Sequence, residues 1–126
     1  MKVLLSEDEE ILLTAIEFRL RKHGFQVILA SNRKEAIEKI KKEKPSVVIA
    51  TLEMPELSGI DLVRYLRKEI KSDLPVIIIA ALENGDLLLE ALALGANDFV
   101  TKPFKPAELV LRIRKIMEKQ KAEIKS

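Results

Sequence analysis

The 126-residue sequence contains no cysteine and a single histidine, His23. Disulfides, thiolate metal sites and cysteine nucleophiles are therefore excluded. No apolar run approaches the roughly 20 residues of a membrane span. Met1-Lys2 passes straight into Val3-Leu4-Leu5 and then into acids, so no cleavable signal sequence is expected. A cytoplasmic location, away from membranes, is the expectation. Charge of one sign is also missing, because 22 Lys and Arg against 20 Asp and Glu leave a net charge of +2, interleaved along the chain. That balance lacks the broad basic field that draws a domain to nucleic acid. Even the basic stretch from Arg112 to Lys125 is interrupted by Glu118 and Glu123 and reads as a solvated helix end. With only four glycines, no glycine-rich phosphate loop is present.

What remains has the length and the balance, 48% hydrophobic and 33% charged, of one domain with a proper core. Five short apolar runs rich in β-branched residues occur at Lys2 to Ser6, Phe25 to Ala30, Ser46 to Thr51, Pro75 to Ala80 and Asn97 to Thr101. They alternate with amphipathic stretches, the pattern of repeated βαβ units around a parallel sheet. Leu12, Ile16 and Leu20 recur every fourth residue with Ile11 and Ala15 beside them, which predicts a first helix ended by Gly24. Ala36, Ile37 and Ile40 mark a second helix. A third carries Leu62, Val63, Leu66 and Ile70 after Ser58 as N-cap. The fourth runs from about Asp86 to Leu94 and stops at Gly95; the fifth carries Leu109, Ile113, Ile116 and Met117 after Pro106.

Right-handed crossovers then give an α/β fold, a flavodoxin-like (β/α)5 doubly wound parallel sheet of order 2-1-3-4-5. The domain is expected over residues 1–121, with 122–126 a C-terminal tail or the start of a linker. In such sheets the functional crevice lies beyond the carboxyl ends of the strands. The loops to inspect begin at Ser6, Thr51, Ala80 and Thr101.

Acids follow the first strand at Glu7-Asp8-Glu9-Glu10, Pro55 and Gly59 follow the third, Gly95-Ala96 precede the fifth, and Thr101-Lys102-Pro103-Phe104 close it. In this order, over essentially the whole chain, these residues resemble the receiver domain of response regulators in two-component, phosphorelay signalling. The resemblance implies Mg²⁺ held by an acid pair, an aspartate at the end of strand three that accepts a phosphoryl group from a histidine kinase, and a lysine and a strand-four hydroxyl that contact the phosphoryl oxygens. It places the acid pair at Glu7 and Asp8, a third metal ligand at the backbone carbonyl of Glu53, and the lysine at Lys102.

Two positions depart from the family pattern. Counting back from Pro55 and Gly59 puts the phosphoacceptor at Thr51, and the hydroxyl position falls on Ala80. A threonine hydroxyl needs an adjacent general base to act as a nucleophile, so threonine phosphorylation is not the expectation. No cofactor is then required. Mg²⁺ either binds weakly, having lost one carboxylate, or gives way to an ion pair between Lys102 and Asp8, the favoured arrangement.

The expected function is that of an atypical, phosphorylation-independent receiver acting as a protein-interaction module, with a histidine kinase, an output domain or a second copy as partner. The fourth helix has leucines on two sides: Leu89 and Leu92, flanked by Leu88, and opposite them Leu87 and Leu94 with Ala91 close by. Leu87, Ala91 and Leu94, with Phe99 on the fifth strand, are the expected partner surface on the face formed by helix four, strand five and helix five. An alternative is a fragment regulating a removed C-terminal output domain, DNA-binding or enzymatic. A small flavodoxin-like enzyme using Glu7, Asp8 and Lys102 ranks last, and the chain is read as not an enzyme.

Overall fold

A computed structural model describes residues 1–125, with side chains described through Glu123; Ser126, the end of the expected tail, lies outside the described residues. Five strands, β1 (Lys2–Ser6), β2 (Gln26–Leu29), β3 (Val47–Thr51), β4 (Val76–Ala81) and β5 (Asp98–Lys102), form one parallel sheet of order β2-β1-β3-β4-β5. The expected topology is the one found. Between them run α1 (Glu10–Lys22), α2 (Arg33–Glu43), α3 (Gly59–Arg64), α4 (Gly85–Leu94) and, last, α5 (Pro106–Lys125). α5 passes through the 121/122 boundary where a tail was expected to begin. No helix among the described residues is long and apolar enough to cross a membrane.

Strand side chains alternate between two faces, and each face builds its own core. Leu4, Val48, Ala50, Val76, Ile78 and Ala80 pack with Ala36, Leu62, Leu66, Leu88 and Ala91 under α2, α3 and α4. Val3, Leu5, Val47, Ile49, Ile77, Ile79 and Val100 pack with Ile16, Leu20, Leu109 and Ile113 under α1 and α5. Both faces of β1, β3 and β4 are thus dry, and for that reason these strands read as continuous apolar runs.

Helix ends follow the sequence signals. Asn32 caps α2 by accepting from the Glu35 amide at 2.8 Å, and Ser58 caps α3 from Asp61 at 3.4 Å. Gly24 lies beyond α1 at φ +88°, a conformation that suits residues without a Cβ. At Gly59 the requirement is space: a Cβ there would stand 2.8 Å from the Thr51 carbonyl oxygen. This close approach seats the start of α3 on the end of β3.

Three expectations about helix faces are corrected. Ile11, assigned to the buried stripe of α1, is 89% exposed, and Ala15 is exposed with it; the half-buried Leu13 packs on the core instead. The inward arc of α1 is centred on Ile16 and Leu20 and leans toward Leu13. Ile70 is exposed because α3 continues into a π-helical turn, Tyr65–Glu69, where the Ile70 amide donates to Tyr65 five residues back. The extra residue per turn rotates Ile70 off the 3.6-residue stripe. On α4 the expected division into two sides is not found: Leu88 and Ala91 are buried, Leu87, Leu92 and Leu94 pack against the same core, and Leu89 is exposed. Ala91 is therefore unavailable as a partner surface. Leu87, Leu94 and Phe99 are half-buried and pack against the same core.

Candidate functional site

β1 and β3 are neighbours in register, with Ser6 opposite Ala50, and Lys102 ends β5 opposite Ala81. Residues 3, 5 and 7 share one side of an extended chain, as do 47, 49 and 51. Glu7 and Thr51 therefore meet at the carboxyl rim on the α1 and α5 side. The Thr51 hydroxyl donates to Glu7 Oε1 at 2.7 Å, and Lys102 Nζ stands 3.4 Å from the same oxygen. Glu7 Oε2 accepts the backbone amide of Glu9 at 2.8 Å. The Glu7 side chain has no solvent exposure. A carboxylate so buried would be strongly unfavourable without partners, and these donors supply them.

Lys102 Nζ also donates to Glu9 Oε1 at 2.9 Å. Burial alone would depress this ammonium, but the Glu9 hydrogen bond and the charges of Glu7 and Glu9 outweigh it and hold its pKa above the ordinary lysine value. The expected pairing with Asp8 is thus corrected: Lys102 is taken by Glu7 and Glu9, while Asp8 is exposed. β1 ends at Ser6, and the segment of residues 7–9 that leads into α1 leaves Glu7 and Glu9 on Lys102 and Asp8 at the surface.

The remaining expected residues lie apart from this cluster. Glu53 is exposed on the loop after β3, and Ala80 is buried in the core layer beneath α2, α3 and α4. A cavity of about 500 Å³, lined by Glu9, Leu12, Ala81, Leu82, Lys102 and Phe104 among others, opens beside the lysine.

For a divalent ion the donors on offer are Glu7, Asp8 and the Glu53 carbonyl. They fit it poorly as arranged, because both oxygens of Glu7 already accept hydrogen bonds and Thr51 contributes a neutral hydroxyl. Among the described residues, no cluster of three or more His, Asp or Glu side chains is placed to hold a metal ion. The 2.7 Å contact does have the reach of a nucleophile and its base. The same carboxylate is also held by Lys102 and by the Glu9 amide.

The family model of the response regulator receiver domain matches residues 3–114. The chain belongs to the response regulator receiver family. Among its relatives, the "probable transcriptional regulator ycf27" of Pyropia yezoensis is 41% identical over 118 residues, covering 94% of this receiver and 48% of the relative. The alkaline phosphatase synthesis transcriptional regulatory protein PhoP of Bacillus subtilis is 34% identical over 94% of this receiver and 49% of its own length. The receiver thus spans about half the length of these relatives. Among solved structures, the Francisella response regulator 1452 receiver domain matches with a TM-score of 0.84 at 32% identity, covering 94% of this chain and 98% of that one. Full-length FixJ from B. japonicum matches with a TM-score of 0.87 at 25% identity, covering 98% and 61%.

Proposed function

We propose that this receiver signals by protein contact without an aspartyl phosphate, in the cytoplasm and without enzymatic activity of its own. The observation that carries the reading is the hydrogen bond from Thr51, at the end of β3, to the buried Glu7. A hydroxyl replaces the phosphoacceptor carboxylate, and Lys102, which the family pattern reserves for phosphoryl oxygens, is engaged by Glu7 and Glu9 instead. Three side chains close on one another where a phosphoryl group would sit. Ala80 supports the same reading, since no hydroxyl is available on β4 to follow a phosphoryl group. Mg²⁺ is expected to bind weakly, because one carboxylate of the usual set is missing.

Incubation with acetyl phosphate and Mg²⁺, followed by intact-mass measurement, tests this. The unmodified mass is expected for the natural sequence, and a phosphate adduct that disappears in Thr51→Val would refute the proposal. Thr51→Asp is expected to restore some phosphorylation, because Glu7, Asp8 and Lys102 still stand at the same rim.

A second reading has its own support. Relatives named as transcriptional regulators are about twice as long as this chain, which favours a receiver that acts on an output domain joined beyond α5. The two readings are compatible, and the contact would then be made within one polypeptide.

A further inference from the structure

Helix α1 carries a second apolar stripe that faces away from the core. Ile11, Ala15, Phe18 and Lys22 recur at steps of four, three and four residues and so share one face. All four are exposed, Ile11 at 89% and Phe18 at 67%. The packing of α1 on β2 and α5 uses its other side, through Leu12, Leu13, Ile16 and Leu20. Charge at the two ends of the same helix differs in sign, with Asp8, Glu9 and Glu10 at its amino end and Arg19, Arg21 and Lys22 at its carboxyl end; Glu9 is held by Lys102, and Arg21 by its own Glu17 at 2.8 Å, which leaves Asp8 and Lys22 as the charges of the exposed face.

We propose that this face pairs antiparallel with the same face of a second copy of the chain, about a twofold axis passing by Ala15. In that register Ile11 of one copy lies beside Phe18 of the other and Asp8 faces Lys22, while Glu10 approaches the Arg21–Glu17 pair at the flank. Every contact occurs twice, as a twofold interface demands. The small side chain of Ala15 lets the two helices approach at the axis. A parallel pairing would set acid against acid and base against base. The pattern is therefore complementary to itself in one orientation only, and the inference does not depend on the state of the phosphate pocket. One helix face is smaller than a standard interface of roughly 1,600 Å². The dimer is accordingly weak, and salt weakens it further.

Sedimentation velocity of the complete chain from about 10 μM to about 1 mM is expected to show reversible association that fades in roughly 0.5 M salt. Phe18→Glu should abolish it. Lys22→Glu should weaken it about tenfold, and adding Asp8→Lys should bring it back to within about threefold. Because the natural chain lacks cysteine, Ala15→Cys reports the axis directly: it should form a disulfide-linked dimer far faster than Lys42→Cys on the distant α2. A chain monomeric at about 1 mM, or equal crosslinking from the two cysteines, would overturn the proposal. So would failure of Asp8→Lys to rescue Lys22→Glu. A monomer that binds an unrelated helix through Ile11 and Phe18 would assign the face to another protein and equally refute self-pairing.

Discussion

Replacing Thr51 with valine isolates the hydroxyl at the centre of the rim cluster. Valine has nearly the same shape, and Thr51 is 6% exposed, so packing is preserved while one donor is deleted. The lost hydrogen bond is 2.7 Å long and ends on a carboxylate with no solvent exposure. Hydrogen bonds to charged groups contribute about 1.5–3 kcal/mol, and water cannot enter to replace this one, so the upper part of that range applies. Glu7 keeps the Glu9 amide and Lys102, which prevents the cost from reaching that of a fully unpaired buried charge. The expected loss is roughly 2–3 kcal/mol, or about 6–12 °C in Tm for a chain of this length. Urea unfolding followed by circular dichroism measures it, with Thr51→Ser as the control that retains the hydroxyl. Combining Thr51→Val with Lys102→Met should give a non-additive cost, since both groups act through one carboxylate. A loss below about 0.5 kcal/mol for Thr51→Val, or strict additivity in the pair, would show that the hydroxyl does not hold Glu7.

Gly59→Ala should destabilise by about 1–3 kcal/mol in urea unfolding, because its Cβ would meet the Thr51 carbonyl oxygen at 2.8 Å and the backbone of Leu52 at 3.2 Å; a neutral result would mean that α3 is not seated on β3. Arg67→Met should cost roughly 2–3 kcal/mol, since the guanidinium donates to the Gly95 carbonyl, the Ser72 carbonyl and Asn97 Oδ1 at 3.1, 2.8 and 3.0 Å. The pKa of Lys102 lies above the ordinary value of 10.5 in the folded chain. Its stabilising contribution is therefore complete below that value and is lost as pH rises through the folded pKa. The stability difference between the natural chain and Lys102→Met should stay constant from about pH 7 to 9.5 and shrink at higher pH; a gap that widens with alkalinity would contradict the pairing.

The order of strands and helices was legible because both faces of the sheet are covered, so strands announce themselves as apolar runs and helices as single stripes. Site residues were legible to the extent that strand ends locate them: Glu7, Thr51 and Lys102 do meet at one rim. Pairing within the rim was harder. It depends on the path of residues 7–9 beyond the end of β1, which no hydrophobic pattern reports. Faces of α4 were misread for a related reason, since seven leucine and alanine residues among its ten leave periodicity with little contrast. In α3 the stripe was correct up to Leu66 and failed at Ile70, where a backbone change of pitch, invisible in a hydrophobic pattern, intervenes.

The guanidinium of Arg67 gathers the tail of the third helix and the connections into β4 and β5 at the edge of the sheet opposite Thr51. Asn97 completes the fastening by accepting from the Val76 amide at 2.9 Å and donating back to the Val76 carbonyl at 2.9 Å. The lower border is pinned like the bound spine of a book, whereas at the opposite margin the Glu7, Thr51 and Lys102 cluster ties the ends of β1, β3 and β5 and leaves the loops after β3 and β4 outside it. Deuterium uptake should accordingly be slowest around Val76 and Asn97 and faster in the segments following β3 and β4. Any message the domain carries would travel through the turning pages and leave the spine in place.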